Sequence, residues 1–243
     1  MFADLFPLYF MLAFSVAMLT LGTWRERVHL RRLREQGPDY RMRIYRDFLV
    51  TIWPAALLGI AVWLASGRDL AAIGFSLGEG LGAGIAWGAA LGGASYNFYL
   101  ARGVRVSQEM RDAIAAQLMR GGALELLDPA DARQANRFQA VAVTAGITEE
   151  ILFRGLLIGS LALVMPIWAA GVIGLAIFIL AHAYQGARGM LSIVPISTIL
   201  TLMFVLSDSI MPGIILHIAV DMAAGVMLWN TTRERAALAA NPA

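Results

Sequence analysis

The sequence predicts an all-α fold: a polytopic transmembrane helix bundle of about seven spans, with an amphipathic cytoplasmic helix between two of them. Three observations carry this prediction. The chain is 59% hydrophobic and only 15% charged, whereas soluble domains are about 45–50% apolar and about 25% charged. Its mean hydropathy is +0.68, and apolar stretches long enough to cross a bilayer recur along it. The arginine-rich connections between those stretches all fall on one face once seven crossings are drawn.

Phe2 to Thr23 is an apolar run of spanning length, since about 20 helical residues cross the hydrocarbon core. It lacks a basic leader and a small-residue cleavage site, so it reads as a membrane helix and not as a signal peptide. Trp24 suits the interface. Arg25 to Asp47 reads as a polar loop, with eight arginines against Glu26, Glu35, Asp39 and Asp47. The excess of positive charge makes it cytoplasmic. His29, within it, reads as an ordinary solvated residue.

Phe48 to Ala65 returns across the membrane, with Pro54 expected to kink it. Ser66 to Gly80 is a short external connection. Leu81 to Leu100 is a third span, and its glycines suit close helix packing in lipid. Ala101 to Arg137 is a polar cytoplasmic stretch. Within it Gln108 to Leu118 has an amphipathic pattern, and Gly121-Gly122 interrupts it.

Phe138 to Ser160 is the fourth span and Leu161 to about Tyr184 the fifth. Arg188 marks a short cytoplasmic loop. Met190 to Leu206 is a sixth span, which Pro195 is expected to interrupt. A tight external turn, Ser207 to Met211, leads to Pro212 to Trp229, the seventh. This topology puts the N-terminus outside and the C-terminus in the cytoplasm. Residues 1–243 read as a single integral-membrane domain.

Composition excludes several chemistries. There is no cysteine, so disulfides, thiol catalysis and thiolate metal sites are absent. The formal net charge is only +2, and the basic residues flank membrane spans. The expected surroundings are a lipid bilayer, with no nucleic-acid partner.

The informative residues are the ionisable ones inside apolar spans. A charge at the centre of a membrane helix costs about 2.5–3.5 kcal/mol on insertion scales, so each needs a partner or a purpose. They are Glu149, Glu150 and Arg154 on the fourth span, His182 on the fifth, and His217 and Asp221 on the seventh. Residues four apart share a helix face, while adjacent ones are turned by about 100°. Glu150 can therefore pair with Arg154 as a structural ion pair. Glu149 points elsewhere, with no cation on its own face, and suits general acid or base work. His217 and Asp221 share a face, so Asp221 can orient His217. Phe178 and His182 also share a face, where the phenyl ring would pack the site and limit water. On these boundaries Glu149 lies deep in the membrane and His182 lies near the cytoplasmic face.

These residues fall in three motifs, Glu-Glu-x-x-x-Arg, Phe-x-x-x-His and His-x-x-x-Asp, in that order. In this the chain resembles the CPBP family, the intramembrane proteases that include CAAX prenyl endopeptidases and the bacteriocin-processing Abi family. The resemblance covers residues 138–230, which it marks as a catalytic helix core. It implies an intramembrane endopeptidase that hydrolyses a peptide bond of a membrane-associated protein or peptide. It assigns Glu149 as the base that activates water, with His182 holding that water. His217 and Asp221 are assigned to the tetrahedral intermediate. The prenyl endopeptidases have asparagine where this chain has Asp221, and an ionised aspartate cannot donate to an oxyanion. The implied substrate is a lipidated or membrane-anchored protein or peptide. The expected location is a bacterial cytoplasmic (inner) membrane.

No cofactor is expected. Two histidines and a glutamate, here Glu149, His182 and His217, can nonetheless hold zinc with one open position. Other functions fit the same residues. A proton- or ion-coupled transporter also buries such groups, although no inverted repeat is visible. A non-catalytic immunity or scaffold membrane protein could keep them for structure alone.

Overall fold

The computed structural model describes residues 3–121 and 128–240. Phe2, Gly122 and the extreme C-terminus, on which some sequence expectations fall, lie outside the described residues. Among the described residues every regular element is a helix. In order they are α1 (Phe6–Ala17), α2 (Thr23–Gln36), α3 (Arg41–Ala65), α4 (Gly80–Val106), α5 (Gln108–Gly121), α6 (Ala132–Glu149), α7 (Gly159–Leu161), α8 (Ile167–Ala181), α9 (Gly186–Ser207) and α10 (Met211–Ala240). π-helical segments join α1 to α2 (Met18–Gly22) and α6 to α7 (Glu150–Ile158).

Among the described residues four stretches are long and apolar enough to cross a membrane: Phe6–Gln36, Pro38–Ala65, Ala183–Ser207 and Met211–Thr231. The protein is an integral-membrane helix bundle. The other three expected crossings fall in helices of different character. α4 is diluted by glycine and alanine, α6 and its π segment carry Glu149, Glu150 and Arg154, and α8 has only 15 residues.

The expected polar loop from Arg25 to Asp47 is instead mostly helix. α1 and α2 form one rod of 31 residues, about 46 Å long at 1.5 Å per residue, against a hydrocarbon core of about 30 Å. Its arginine-rich end therefore projects beyond the core. Arginine, leucine and glutamate are good helix formers, so a fall in hydropathy there marks the membrane boundary and not the helix end. The rod stops at Gly37, whose φ of 79° lies in the left-handed region that glycine adopts without penalty. Pro38–Tyr40 makes one 3-10 turn and α3 begins.

His29 is accordingly not a solvated loop residue. It is buried, and its Nδ1 lies 3.1 Å from the Tyr40 hydroxyl. The hairpin tip is tied to the start of α6: Arg41 Nη1 donates to Gln134 Oε1 at 2.9 Å, and Gln134 Nε2 donates to the Pro38 carbonyl at 3.1 Å. Asp131 caps α6 by accepting from the Gln134 backbone N–H at 2.7 Å, which satisfies one of the orphan donors of the first turn.

One proline behaves differently from expectation: α9 runs through Pro195 without interruption, as α3 runs through Pro54. Neighbouring helices in a bundle can compensate the lost backbone bond. Arg188 lies in the first turn of α9, and the turn before it is Ala183–Gln185.

At the opposite end, the 66–79 connection folds back onto the bundle. Ile73 is fully buried, and Ile210 N–H donates to the Gly74 carbonyl at 2.9 Å. The α4 glycines divide into two sets. A methyl group at Gly93 would meet Leu216 at 2.6 Å, and Gly82 abuts the Leu206 carbonyl, so both allow close approach to neighbouring helices. Gly84, Gly88 and Gly92 face open space.

The π segment is the centre of the bundle, with all nine of its residues buried. An apolar core surrounds it, drawn from α1 (Met11), α3 (Trp63), the 66–79 connection (Ile73), α8 (Phe178) and α9 (Phe204). α10 packs along both α4 and α6, which brings its histidine to the glutamates.

Candidate active site

Glu149 closes α6 and Glu150 opens the π segment, so the adjacent carboxylates straddle a change of helix type. π segments inside α-helices are frequent at functional sites. The two side chains go to different places. Glu150 is fully buried and Arg154 is 1% exposed. Arg154 Nη1 donates to Glu150 Oε1 at 2.9 Å, and Nη2 reaches the Ser197 carbonyl of α9 at 3.4 Å. The guanidinium also lies over the Phe178 ring, 4.2 Å from its centroid.

Glu149 instead faces a cavity of about 230 Å³ together with Phe178, His182, His217 and Asp221. It makes no hydrogen bond or ion pair with any described residue. Four motif residues from three separate helices thus share one space with the motif phenylalanine, and the Glu150–Arg154 pair lies behind its wall.

The two histidines have defined tautomers. His182 sits at the C-terminal cap of α8, with Nδ1 2.9 Å from the Phe178 carbonyl. A carbonyl only accepts, so Nδ1 carries the proton and Nε2 is left as an acceptor when the ring is neutral. The bond also satisfies one of the carbonyls that a helix end leaves without a partner. The Phe178 ring centroid lies 4.6 Å from that of His182, the rings tilted by 46°, so one phenyl touches both the buried guanidinium and the imidazole. His217 Nδ1 lies 2.8 Å from Glu150 Oε1. That carboxylate already accepts from Arg154, so Nδ1 is the donor and Nε2 faces the cavity.

Two sequence expectations change here. Asp221 was expected to orient His217 or to make hydrogen bonds itself; its Oδ2 lies 3.6 Å from Nε2, an ion-pair distance but too far for a hydrogen bond. Glu150 orients His217 instead, so the structural pair and the cavity are coupled through one carboxylate. The difference in depth also disappears. α8 has 15 residues and is only about 22 Å long. His182 caps its end and lines the same cavity as Glu149.

Among the described residues no group of three His, Cys, Asp or Glu is placed to hold a metal ion. Glu149, His182 and His217 line one cavity without forming a zinc cage.

The cavity wall includes residues that sequence reasoning missed. Glu26, Ile44, Tyr45 and Phe48 come from the first hairpin, and Tyr184 follows His182 by two residues. The Tyr184 hydroxyl accepts from Gln185 Nε2 at 3.1 Å. Tyr184 was within reach of a local reading. The hairpin residues carry no motif, and nothing in the sequence links them to residues a hundred positions later.

The family model described as type II CAAX prenyl endopeptidase Rce1-like matches residues 133–223. Over this stretch the chain is similar to Rce1-like domains, consistent with a CPBP intramembrane protease. The matched stretch takes in nearly all of α6, the π segment, α8, α9 and the start of α10. Every motif residue lies inside it, from Glu149 to Asp221. The first hairpin, α4 and α5 lie outside it, although Glu26 and Tyr45 complete the cavity wall. No curated protein and no solved structure matches the chain.

Proposed function

We propose that the chain is a glutamate-dependent intramembrane endopeptidase and that Glu149 is its general base. The family match supports an endopeptidase of membrane-associated proteins. The observation that carries the finer reading is the division of the two carboxylates. Glu149 makes no hydrogen bond or ion pair with any described residue and faces the cavity with His182, His217 and Asp221, while Glu150 is sealed behind it with Arg154.

In this mechanism a water lies between Glu149 and the free Nε2 of His182. Glu149 takes one proton from the water as its oxygen attacks the scissile carbonyl. The carbonyl oxygen becomes an oxyanion, and His217 faces it through Nε2. To donate there His217 must carry both ring protons, with Glu150 and Asp221 as its counter-charges. Collapse of the tetrahedral intermediate breaks the C–N bond, and Glu149 returns the proton to the leaving amine. No metal is required. The substrate is a lipidated or membrane-anchored protein or peptide. The protein lies in a bacterial inner membrane with its N-terminus outside and its C-terminus in the cytoplasm.

The test is comparative membrane proteomics of cells carrying wild type or Glu149→Ala, followed by cleavage of the accumulating precursor in proteoliposomes. Glu149→Ala and His182→Ala should both abolish cleavage while inserting and folding normally. Full activity in Glu149→Ala would sink the mechanism. Stoichiometric bound zinc with chelator-sensitive cleavage would replace it with a metal-dependent one, and substrate-driven ion flux without cleavage would mark a transporter.

A further inference from the structure

A second cavity, of about 700 Å³, opens between α4, α6 and α10. It shares no lining residue with the active-site cavity. Its volume is within the roughly 300–1,000 Å³ typical of small-molecule sites. The chain directions give it a polarity. The C-terminal end of α4, the N-terminal end of α6 and the later part of α10 meet at one end, lined by Arg102, Arg105, Asn136 and Asn230. The other end is apolar, with Ala94, Ala219 and Met222.

Among the described residues no Asp or Glu lines the cavity to compensate the charge at its polar end. Arg102 and Arg105 are exposed and make no hydrogen bond or ion pair with any described residue. Arg233 lies over the ring of Trp229, another lining residue, 5.6 Å from its centroid. One turn deeper than Asn136, the carboxamide of Gln139 lines the cavity with its Oε1 buried and unpartnered. A buried polar atom of this kind costs about 1–3 kcal/mol unless something bonds it.

We propose that this cavity binds one anionic phospholipid drawn from the surrounding leaflet. Its phosphate sits at Arg102 and Arg105, its glycerol region meets the Gln139 carboxamide, and an acyl chain runs down to Met222. Only an amphiphile matches a cationic rim, a polar step and an apolar floor in that order. Basic residues at a membrane surface attract anionic lipid by about 1 kcal/mol each.

The test is native mass spectrometry of the full chain after exchange into vesicles of phosphatidylglycerol or phosphatidylcholine. Wild type should retain one phosphatidylglycerol in preference to phosphatidylcholine. Arg102→Ala with Arg105→Ala should weaken that retention roughly 25-fold. Arg102→Lys with Arg105→Lys should keep most of it. Met222→Trp, which fills the apolar end and leaves both arginines, should also lose the lipid. Equal retention of the zwitterionic lipid, or unchanged retention in the double alanine variant, overturns the proposal. Displacement of the lipid by millimolar inorganic phosphate also overturns it, since the site would then be a bare anion patch. Gel filtration of each variant guards against misfolding, and the lysine pair keeps the test decisive if the alanine pair fails to fold.

Discussion

Replacing Arg154 by methionine should separate the tasks of the two adjacent glutamates. Methionine keeps most of the length of the side chain and removes its charge. Arg154 is 1% exposed and Glu150 fully buried. The substitution breaks the 2.9 Å bond to Glu150, the 3.4 Å contact with the Ser197 carbonyl and the stacking on Phe178. Glu150 is left buried with His217 as its remaining partner. Breaking a buried pair by removing one member costs about 3–5 kcal/mol, chiefly through the stranded charge. The lost cation–π contact overlaps with this and is worth about 1–2 kcal/mol alone. We therefore expect Arg154→Met to destabilise the protein by about 4 kcal/mol. The double variant Glu150→Gln/Arg154→Met removes the stranded charge and should recover at least half of that loss. Glu149→Gln should leave stability within about 0.5 kcal/mol of wild type, since Glu149 bonds no described residue. The assay is reversible unfolding of purified protein in bicelles by SDS titration, with all four proteins measured together. A loss below about 1 kcal/mol in Arg154→Met, near the central tendency of any substitution, would refute the reasoning. So would an equal loss in Glu149→Gln.

Gly213→Ala places a methyl group 2.9 Å from Glu150 Oε2, a carboxylate that cannot retreat. It should cost about 1–3 kcal/mol in thermal unfolding, whereas Gly84→Ala, with open space around it, should be neutral or mildly stabilising. Asp221→Asn removes one counter-charge of His217 but supplies an N–H that can donate to the oxyanion, so it should lose less kcat/KM in proteoliposomes than Asp221→Ala. Asp221→Ala should lose about 100-fold, and the reverse order would remove Asp221 from the intermediate. The chain contains no cysteine, so single cysteines report topology without background. Gly37→Cys should react with an impermeant maleimide only from the cytoplasmic side and Gly67→Cys only from outside. Labelling of both from one side would break the proposed orientation.

Much of the site was legible because lipid makes charge conspicuous. Glu149, Glu150, Arg154, His182, His217 and Asp221 stood out as ionisable groups in apolar runs. The four-residue spacing alone separated Glu150 from Glu149. Spacing could not show which group on another helix each would meet. Asp221 shares a helix face with His217, yet Glu150, 67 positions away, makes the hydrogen bond. The fold was legible at the level of apolar runs and less so at their ends. Hydropathy reports where a helix leaves the membrane, and α2 continues well past that point. The π segment left no trace in composition, because it depends on how the surrounding helices crowd Glu150–Ile158. Glu26 and Tyr45 were invisible for a related reason: a cavity wall needs only shape at those positions.

The burial of that π segment on every side bears on how the protein is made. A helix holding two carboxylates and a guanidinium is a poor guest in lipid by itself. Arg154 and Glu150 are on the same helix, four residues apart, so their bond can close while the segment is still entering the bilayer. It then enters as a neutral package apart from Glu149. Of its neighbours, α1 and α3 precede it in the chain and can already be in place, while α8, α9 and α10 follow. The segment must therefore wait half-covered until the last helix arrives, and His217 on that helix is the final partner that Glu150 acquires. Assembly of the bundle and completion of the cavity around Glu149 are thus one event, set by the order of synthesis.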